Sequence, residues 1–266
     1  MFYLASMEFP TTAQELARAL ASTLHELFVI PPGREPAQIH GDFPALESIQ
    51  IDLNNAAVRT GQTPPRPIGA GQVRPGPTVQ RLAVEGRPVF VEAAALHFAL
   101  TAEQVHLNFD RDSLGRPLML LDQARNGHVQ VQISRQDIQS LLLAGIGAKA
   151  AAHGLAITNV ELALTQLNPR AVAVEMRISA KKFVTAVIGI RGQLHIDDEL
   201  RAQLRELSCH GDGMIGKMVC GLLNPHLQKL DRRELPLMAF SLGQVRLRDV
   251  QLDTRNGLDI TARFGS

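Results

Sequence analysis

"AVAVEMRISAKKFVTAVIGIRGQLHI", residues 171–196, decides how this chain folds. Val172, Val174, Met176 and Ile178 fall on alternate positions. So do Val184, Ala186, Ile188 and Ile190, and then Leu194 and Ile196. Successive side chains on a strand point to opposite faces, so each run has one apolar face and one wet face. Strands of that kind cover a core on one side only, which favours an antiparallel sheet.

The same pattern extends outward in both directions. "AITNVELALTQL" (156–167) reads as a further strand, and "HVQVQIS" (128–134) and "EQVHLNFD" (103–110) alternate, the last with Val105, Leu107 and Phe109 on one side. "SIQIDLNN" (48–55) sets Ile49, Ile51 and Leu53 against Gln50, Asp52 and Asn54. "RPVFVEAAALHFAL" (87–100) reads as extended segments with less clean alternation. "LGQVRLRDVQLDTRNGLDITARF" (242–264) reads as two strands around the turn pair Asn256-Gly257.

Helices are few. "TTAQELARALASTLHELFVI" (11–30) predicts a first helix, capped by Thr11 or Thr12, with Leu16, Leu20, Leu24, Leu27 and Phe28 at helical spacing. "RQDIQSLLLAGIGAKAAAHG" (135–154) predicts a second, with Ser134 as cap and Gly154 as stop. "DDELRAQLRELSCHGDGMIGKMVCGLLNPHLQKL" (197–230) predicts a long third helical region, with Asp197 or Asp198 at its start. Residues 60–77, rich in Pro and Gly, predict a long irregular loop. Many strands with about three helices predict an α+β fold rather than a doubly wound one. The expectation is one domain over residues 1–266, with residues 1–37 as an N-terminal helix and linker.

Composition narrows the function. The 27 Lys and Arg nearly balance 26 Asp and Glu, so no basic field stands ready for nucleic acid. Ten Phe, one Tyr and no Trp offer little base-stacking surface. On a helix, Cys209 and Cys220 would lie about 16 Å apart along the axis, too far to bond. Read that way the cysteines suit a reducing compartment. The N-terminal stretch has no basic n-region and is broken by Glu8 and Pro10. The expectation is a soluble cytoplasmic protein.

Several motifs resemble catalytic signatures. "GDGMIG" (211–216) is a literal G-x-G-x-x-G, and Gly211 to Lys217 approaches a phosphate loop. Both need a strand leading into the glycine turn, and the preceding segment reads as helix. Met218 also stands where a phosphate loop needs a hydroxyl. "LMLLD" (118–122) precedes the loop it would serve, and "GIGAKA" (145–150) lies inside a helix. Cys209, His210, Asp212 and Cys220 lack metal-ligand spacing, and His106, His128 and His195 stand singly in strands. Ser179-x-x-Lys182 falls between strands rather than at a helix start. No catalytic residue, metal ligand or cofactor site is predicted.

The helices are apolar over much of their girth, which means core or an apolar partner. Leu141, Leu142 and Ile146 on the second helix face this choice, as do Met214, Ile215, Met218 and Leu222 on the third. Val174, Met176, Ile188 and Ile190 supply the matching sheet face.

The order of elements resembles the LmeA-like family of bacterial phospholipid-binding proteins, within the tubular lipid-binding (TULIP) superfamily. The residues that carry the likeness are Phe43-Pro44-x-Leu46 before a strand, Val131-x-Ile133-Ser134 followed by Asp137 and Leu141-Leu142, and the closing strand pair ending in Gly257-Leu258. The similarity covers roughly residues 38–265. It implies a long, strongly curved antiparallel sheet wrapped against about three helices, with an elongated apolar groove for acyl chains. It implies no catalytic residues. Many relatives are exported or membrane-anchored, whereas no export signal is visible here. Phospholipid or a similar amphipath is the expected partner, bound or transferred without catalysis, with peripheral contact to a membrane. The alternative is an interaction or scaffold protein whose groove is filled by its own side chains.

Overall fold

The computed structural model describes residues 2–59, 69–151, 156–181, 185–196, 201–231, 234–236, 245 and 247–265. The chain opens with β1 (Phe2–Tyr3), α1 (Ala13–Leu27), β2 (Phe28–Val29), β3 (Ala37–Asp42), β4 (Ala45–Asp52) and β5 (Ala56–Val58). Three strands of 18 residues follow: β6 (Arg74–Val91), β7 (Ala94–Arg111) and β8 (Pro117–Ser134). Next come α2 (Arg135–Ala151), β9 (Ala156–Asn168), β10 (Ala171–Lys181), β11 (Thr185–Ile196) and β12 (Arg201–Gly211). α3 (Gly213–Leu230), β13 (Glu234–Pro236), β14 (Leu247–Asp253) and β15 (Gly257–Phe264) close the chain. The α+β class stands.

Ten strands form one sheet, in the order β14-β15-β8-β7-β6-β4-β3 with β1 beside β8 and the β2-β5 pair beside β6. The other five run β13-β12-β11-β10-β9. The first sheet is mixed rather than wholly antiparallel, because β4 and β5 run parallel to β6. A parallel neighbour needs a crossover of a dozen or more residues. The Pro- and Gly-rich chain between Val58 and Arg74 is long enough to supply it. That stretch was expected to be irregular to residue 77, yet Arg74–Pro77 belongs to β6. The missing proline N–H is accommodated by a bulge between Pro75 and Thr78.

The contacts divide the chain into two compact units. Unit 1 comprises Met1–Val131, Phe240–Asp249 and Thr261–Ser266. Its core follows the alternation of the sequence: Ile49, Ile51, Leu53, Val105, Leu107 and Phe109 are all buried. α1 adds Leu16, Leu20 and Leu24, each worth roughly 1.5–3 kcal/mol on full burial. The helix starts at a reciprocal cap. Thr12 Oγ1 accepts the Glu15 N–H at 3.1 Å, and Glu15 Oε2 accepts the Thr11 N–H at 2.8 Å.

Unit 2 comprises Gln132–Ala239 and Val250–Ile260. Ser134 caps α2 as expected, its Oγ accepting the Asp137 N–H at 3.0 Å. The expected stop, Gly154, lies outside the described residues, as do Asp197 and Asp198.

The third helical region is half wrong. Residues 201–211 form β12, and α3 begins only at Gly213. A bulge misled the periodicity. β12 pairs with β11 through Leu204↔Leu194 and Cys209↔Ile190, with a register shift between those pairs. Glu206 sits there at φ 57. The extra residue moves the inward positions from Leu204 to Leu207 and Cys209. Leu204 and Leu207 end up three apart, which is helical spacing on a strand.

Candidate functional site

The helix-facing side of the unit 2 sheet is built from cross-strand rows. Val160, Ile178 and Ile188 lie opposite one another on β9, β10 and β11. The next row is Leu162, Met176, Ile190 and Cys209, and the one after it runs through Leu164 and Val174. Such rows are the unit of sheet stabilisation. α2 packs over β9, while α3 packs over β12 and β11. Leu142 of α2 and Val219 of α3 both pack on the cluster of Val160, Ile178, Ile188 and Cys220.

Burial is uneven across these rows, and Leu162 is buried in the second. Val160, Ile178 and Ile188 are buried beneath the helices. Met176, Ile190, Val174 and Leu164 are only half-buried. The result is an apolar floor on β9 to β11, flanked by a helix at either side.

The structure treats the expected lining residues unequally. Leu142, Met176, Ile188 and Ile190 come together in one cluster. Leu141 and Val174 are half-buried. Met214 and Met218 do not line the floor: they are 88% and 62% exposed. Their spacing of four residues puts both on the outer side of α3. The side chains of Ile146, Ile215 and Leu222 lie outside the described residues.

The cysteines overturn the expectation most directly. Cys209 and Cys220 are joined as a disulfide, with their Cα atoms 5.5 Å apart. A separation of about 16 Å would hold only if both cysteines lay on one helix. Cys209 is instead on β12, and the chain reverses at Gly211–Gly213 so that α3 returns over the strand. The bond fastens α3 to the Leu162-Met176-Ile190 row. With the thiols paired, the case for a reducing compartment loses its premise. No helix among the described residues is long and apolar enough to cross a membrane.

The glycine motif also changes meaning. A strand does feed "GDGMIG", contrary to expectation. Yet β13, after α3, pairs antiparallel with β12, so no parallel βαβ unit surrounds the turn. The glycines serve packing. A Cβ on Gly216 would lie 2.7 Å from the carbonyl carbon of Gly211, and one on Gly211 would strike the Gly216 carbonyl. Gly213 adopts φ +68, which favours glycine.

Other chemistry is sparse. Among the described residues no three His, Cys, Asp or Glu side chains are placed to hold a metal ion. His106 is exposed on β7, and His195 is half-buried on β11 with no hydrogen-bond partner at Nδ1. Ser179 is half-buried on β10, and Lys182 lies outside the described residues.

Unit 1 holds a feature the sequence reading missed: a cleft of 380 Å³ lined by Asn126, Gly127, His128, Arg248, Asp249, Arg263 and Phe264. Its signal was the arginines of "VRLRDV" and "TARF", which alternation sends to the wet face as ordinary solvated charge. Their meeting depends on the pairing of strands far apart in sequence. No protein-family model, curated protein or solved structure matches this chain.

Proposed function

We propose that unit 2 binds the acyl chains of a phospholipid or similar amphipath on the floor between α2 and α3, without catalysing a reaction. The observation that carries this reading is the half-buried apolar band of Leu164, Val174, Met176 and Ile190, beside the buried row of Val160, Ile178 and Ile188. Each methylene covered there would contribute about 0.8 kcal/mol, so affinity comes from chain burial rather than from a polar hook. Met176 suits such a floor because its unbranched side chain adapts to irregular contacts. The likeness to the tubular lipid-binding superfamily, with its strongly curved sheet, belongs to this reading and rests on the sequence. The disulfide supports an oxidising compartment for the protein, in place of the cytoplasm.

The second reading, a groove filled by its own side chains, draws on the packing of Leu142, Met176 and Ile190 against one cluster. One experiment separates the two. Freshly purified protein is analysed by native mass spectrometry and lipid extraction, alongside Met176→Trp. Under lipid binding, wild type carries lipid, and the variant loses most of it while keeping its melting temperature. Wild type free of lipid, after expression in an oxidising compartment, would favour the self-filled groove.

A further inference from the structure

The cleft of unit 1 lies where β8, β15 and β14 are sheet neighbours. Asn126 and His128 come from β8, Arg263 and Phe264 from β15, and Arg248 and Asp249 from β14. Phe264 also borders it, its ring 1% exposed and packed against Gly127. Arg263 lies between buried Ala262 and buried Phe264, so alternation points it to the opposite, open side. Two kinks border the cleft: Asn126 at φ 48 and Asp249 at φ 51. Such residues bulge a strand and re-aim neighbouring side chains. The Asn126 amide is held by Glu103 Oε2 at 2.8 Å.

Some arginines of this protein form ion pairs, and others, such as Arg81, Arg125 and Arg177, form none among the described residues. Arg116, Arg191 and Arg255 each pair with an acid. Among the described residues, Arg248 and Arg263 pair with none, although Asp249 lines the same cleft. Two guanidinium groups on adjacent strands repel each other unless an anion lies between them. Guanidinium forks match the oxygens of a phosphate two at a time.

We propose that this cleft binds a phosphate monoester, held by Arg248 and Arg263 with an imidazole N–H of His128 as a further donor. Its 380 Å³ exceeds what a bare phosphate fills and falls within the small-molecule range of about 300–1,000 Å³. The open cleft has room for an organic group beside the phosphate. Asp249 orients the ligand, turning the phosphate toward the arginines and the remainder along the carboxylate. The site lies wholly within unit 1, so it does not depend on the lipid floor of unit 2.

The test uses the full chain and three probes. Inorganic phosphate and glycerol 3-phosphate are titrated calorimetrically, and phosphatidylcholine vesicles containing phosphatidic acid are co-sedimented. Saturable binding is expected to weaken at least ~10-fold in the R248Q/R263Q variant, since each charge-assisted contact is worth about a factor of ten or more. Both side chains are exposed, so the variant should melt as wild type does. Arg263→Lys should retain part of the affinity. Binding of the soluble ester that is lost in R248Q/R263Q identifies a free ligand. Vesicle binding alone, lost in the same variant, identifies a lipid headgroup. Absence of saturable binding to all three probes, or equal binding by wild type and R248Q/R263Q, overturns the proposal. Met176→Trp should leave phosphate binding intact, so failure of one site is read separately from failure of the other.

Discussion

Gly211 and Gly216 meet backbone to backbone at the reversal from β12 into α3. A methyl group on either would fall on the other's main chain rather than on a side chain that could move aside. Gly216→Ala and Gly211→Ala are each expected to cost about 1–3 kcal/mol, the range for overpacking a tight contact. Gly213→Ala forces an alanine to φ +68 and is expected to cost about 1 kcal/mol. Urea denaturation measures all three. The same positions test the nucleotide look-alike. If the glycines serve packing, neither ATP nor NAD should raise the melting temperature of wild type. A clear shift abolished by Lys217→Ala would restore the phosphate-loop reading.

The disulfide gives a second prediction. It closes a loop across a sequence separation of 11 residues. Chain-entropy arguments put such a crosslink at roughly 3 kcal/mol. Dithiothreitol should therefore lower the unfolding free energy of wild type by that amount, seen as a lower denaturation midpoint, and C209S/C220S should show the lower midpoint with or without reductant. The intact mass should be lighter than the all-thiol form by two hydrogens. Full thiol reactivity in protein prepared under oxidising conditions would contradict the bond.

Legibility in the sequence followed the range of the physics involved. The clean alternations at Ile49–Leu53 and Val105–Phe109 mark buried faces, and Thr12 and Ser134 cap the helices they precede. These effects act within a few residues. What failed depended on more. The bulge at Glu206 displaced one inward residue and made a strand look helical. That error hid the disulfide and the strand before "GDGMIG". Of the expected lining residues, Met176, Ile188 and Ile190 share one sheet face because alternation sets it, and Leu142 of α2 packs on the same cluster. Met214 and Met218 point outward, because the rotation of α3 is fixed by the bond at Cys220 and the Gly216 contact. Arg248, Arg263 and His128 share a cleft only through strand pairings that span more than half the chain.

Acid stability should depend on Asp112. Its carboxylate is 6% exposed and accepts from the Leu114 N–H at 2.9 Å, the Arg116 N–H at 2.8 Å and the Arg116 guanidinium at 2.7 Å. Burial alone would raise its pKa. The backbone and side-chain donors of Arg116, the Leu114 N–H and the nearby positive charge outweigh that and hold it below the usual 3.8. A depressed folded-state pKa means that the unfolded chain binds the proton more tightly. The stabilisation is present above pH 3.8 and is lost as pH falls through the depressed value. Asp112→Asn should cost about 2 kcal/mol at neutral pH by removing a charged acceptor. It should also flatten the loss of stability on acidification, as followed by urea midpoints across that range. An unchanged acid slope would assign the loss to other carboxylates.

Met214 and Met218 separate surface from core on α3. At 88% and 62% exposed, they contribute little to folding. M214S/M218S is expected to change stability by no more than about 0.5 kcal/mol. Ile188, buried at 4% between Ile178 and the helices, sets the contrast. Ile188→Ala should cost about 2–5 kcal/mol through lost transfer energy and the cavity left behind. The two methionines are apolar and uncovered, so their effect belongs to association. If the lipid reading holds, vesicles should bind M214S/M218S more weakly than wild type while lipid extracted from the purified variant stays unchanged. That combination places the methionines at entry to the membrane and the Met176 floor at storage. Loss of co-purified lipid in M214S/M218S would instead move the binding surface onto the outer side of α3.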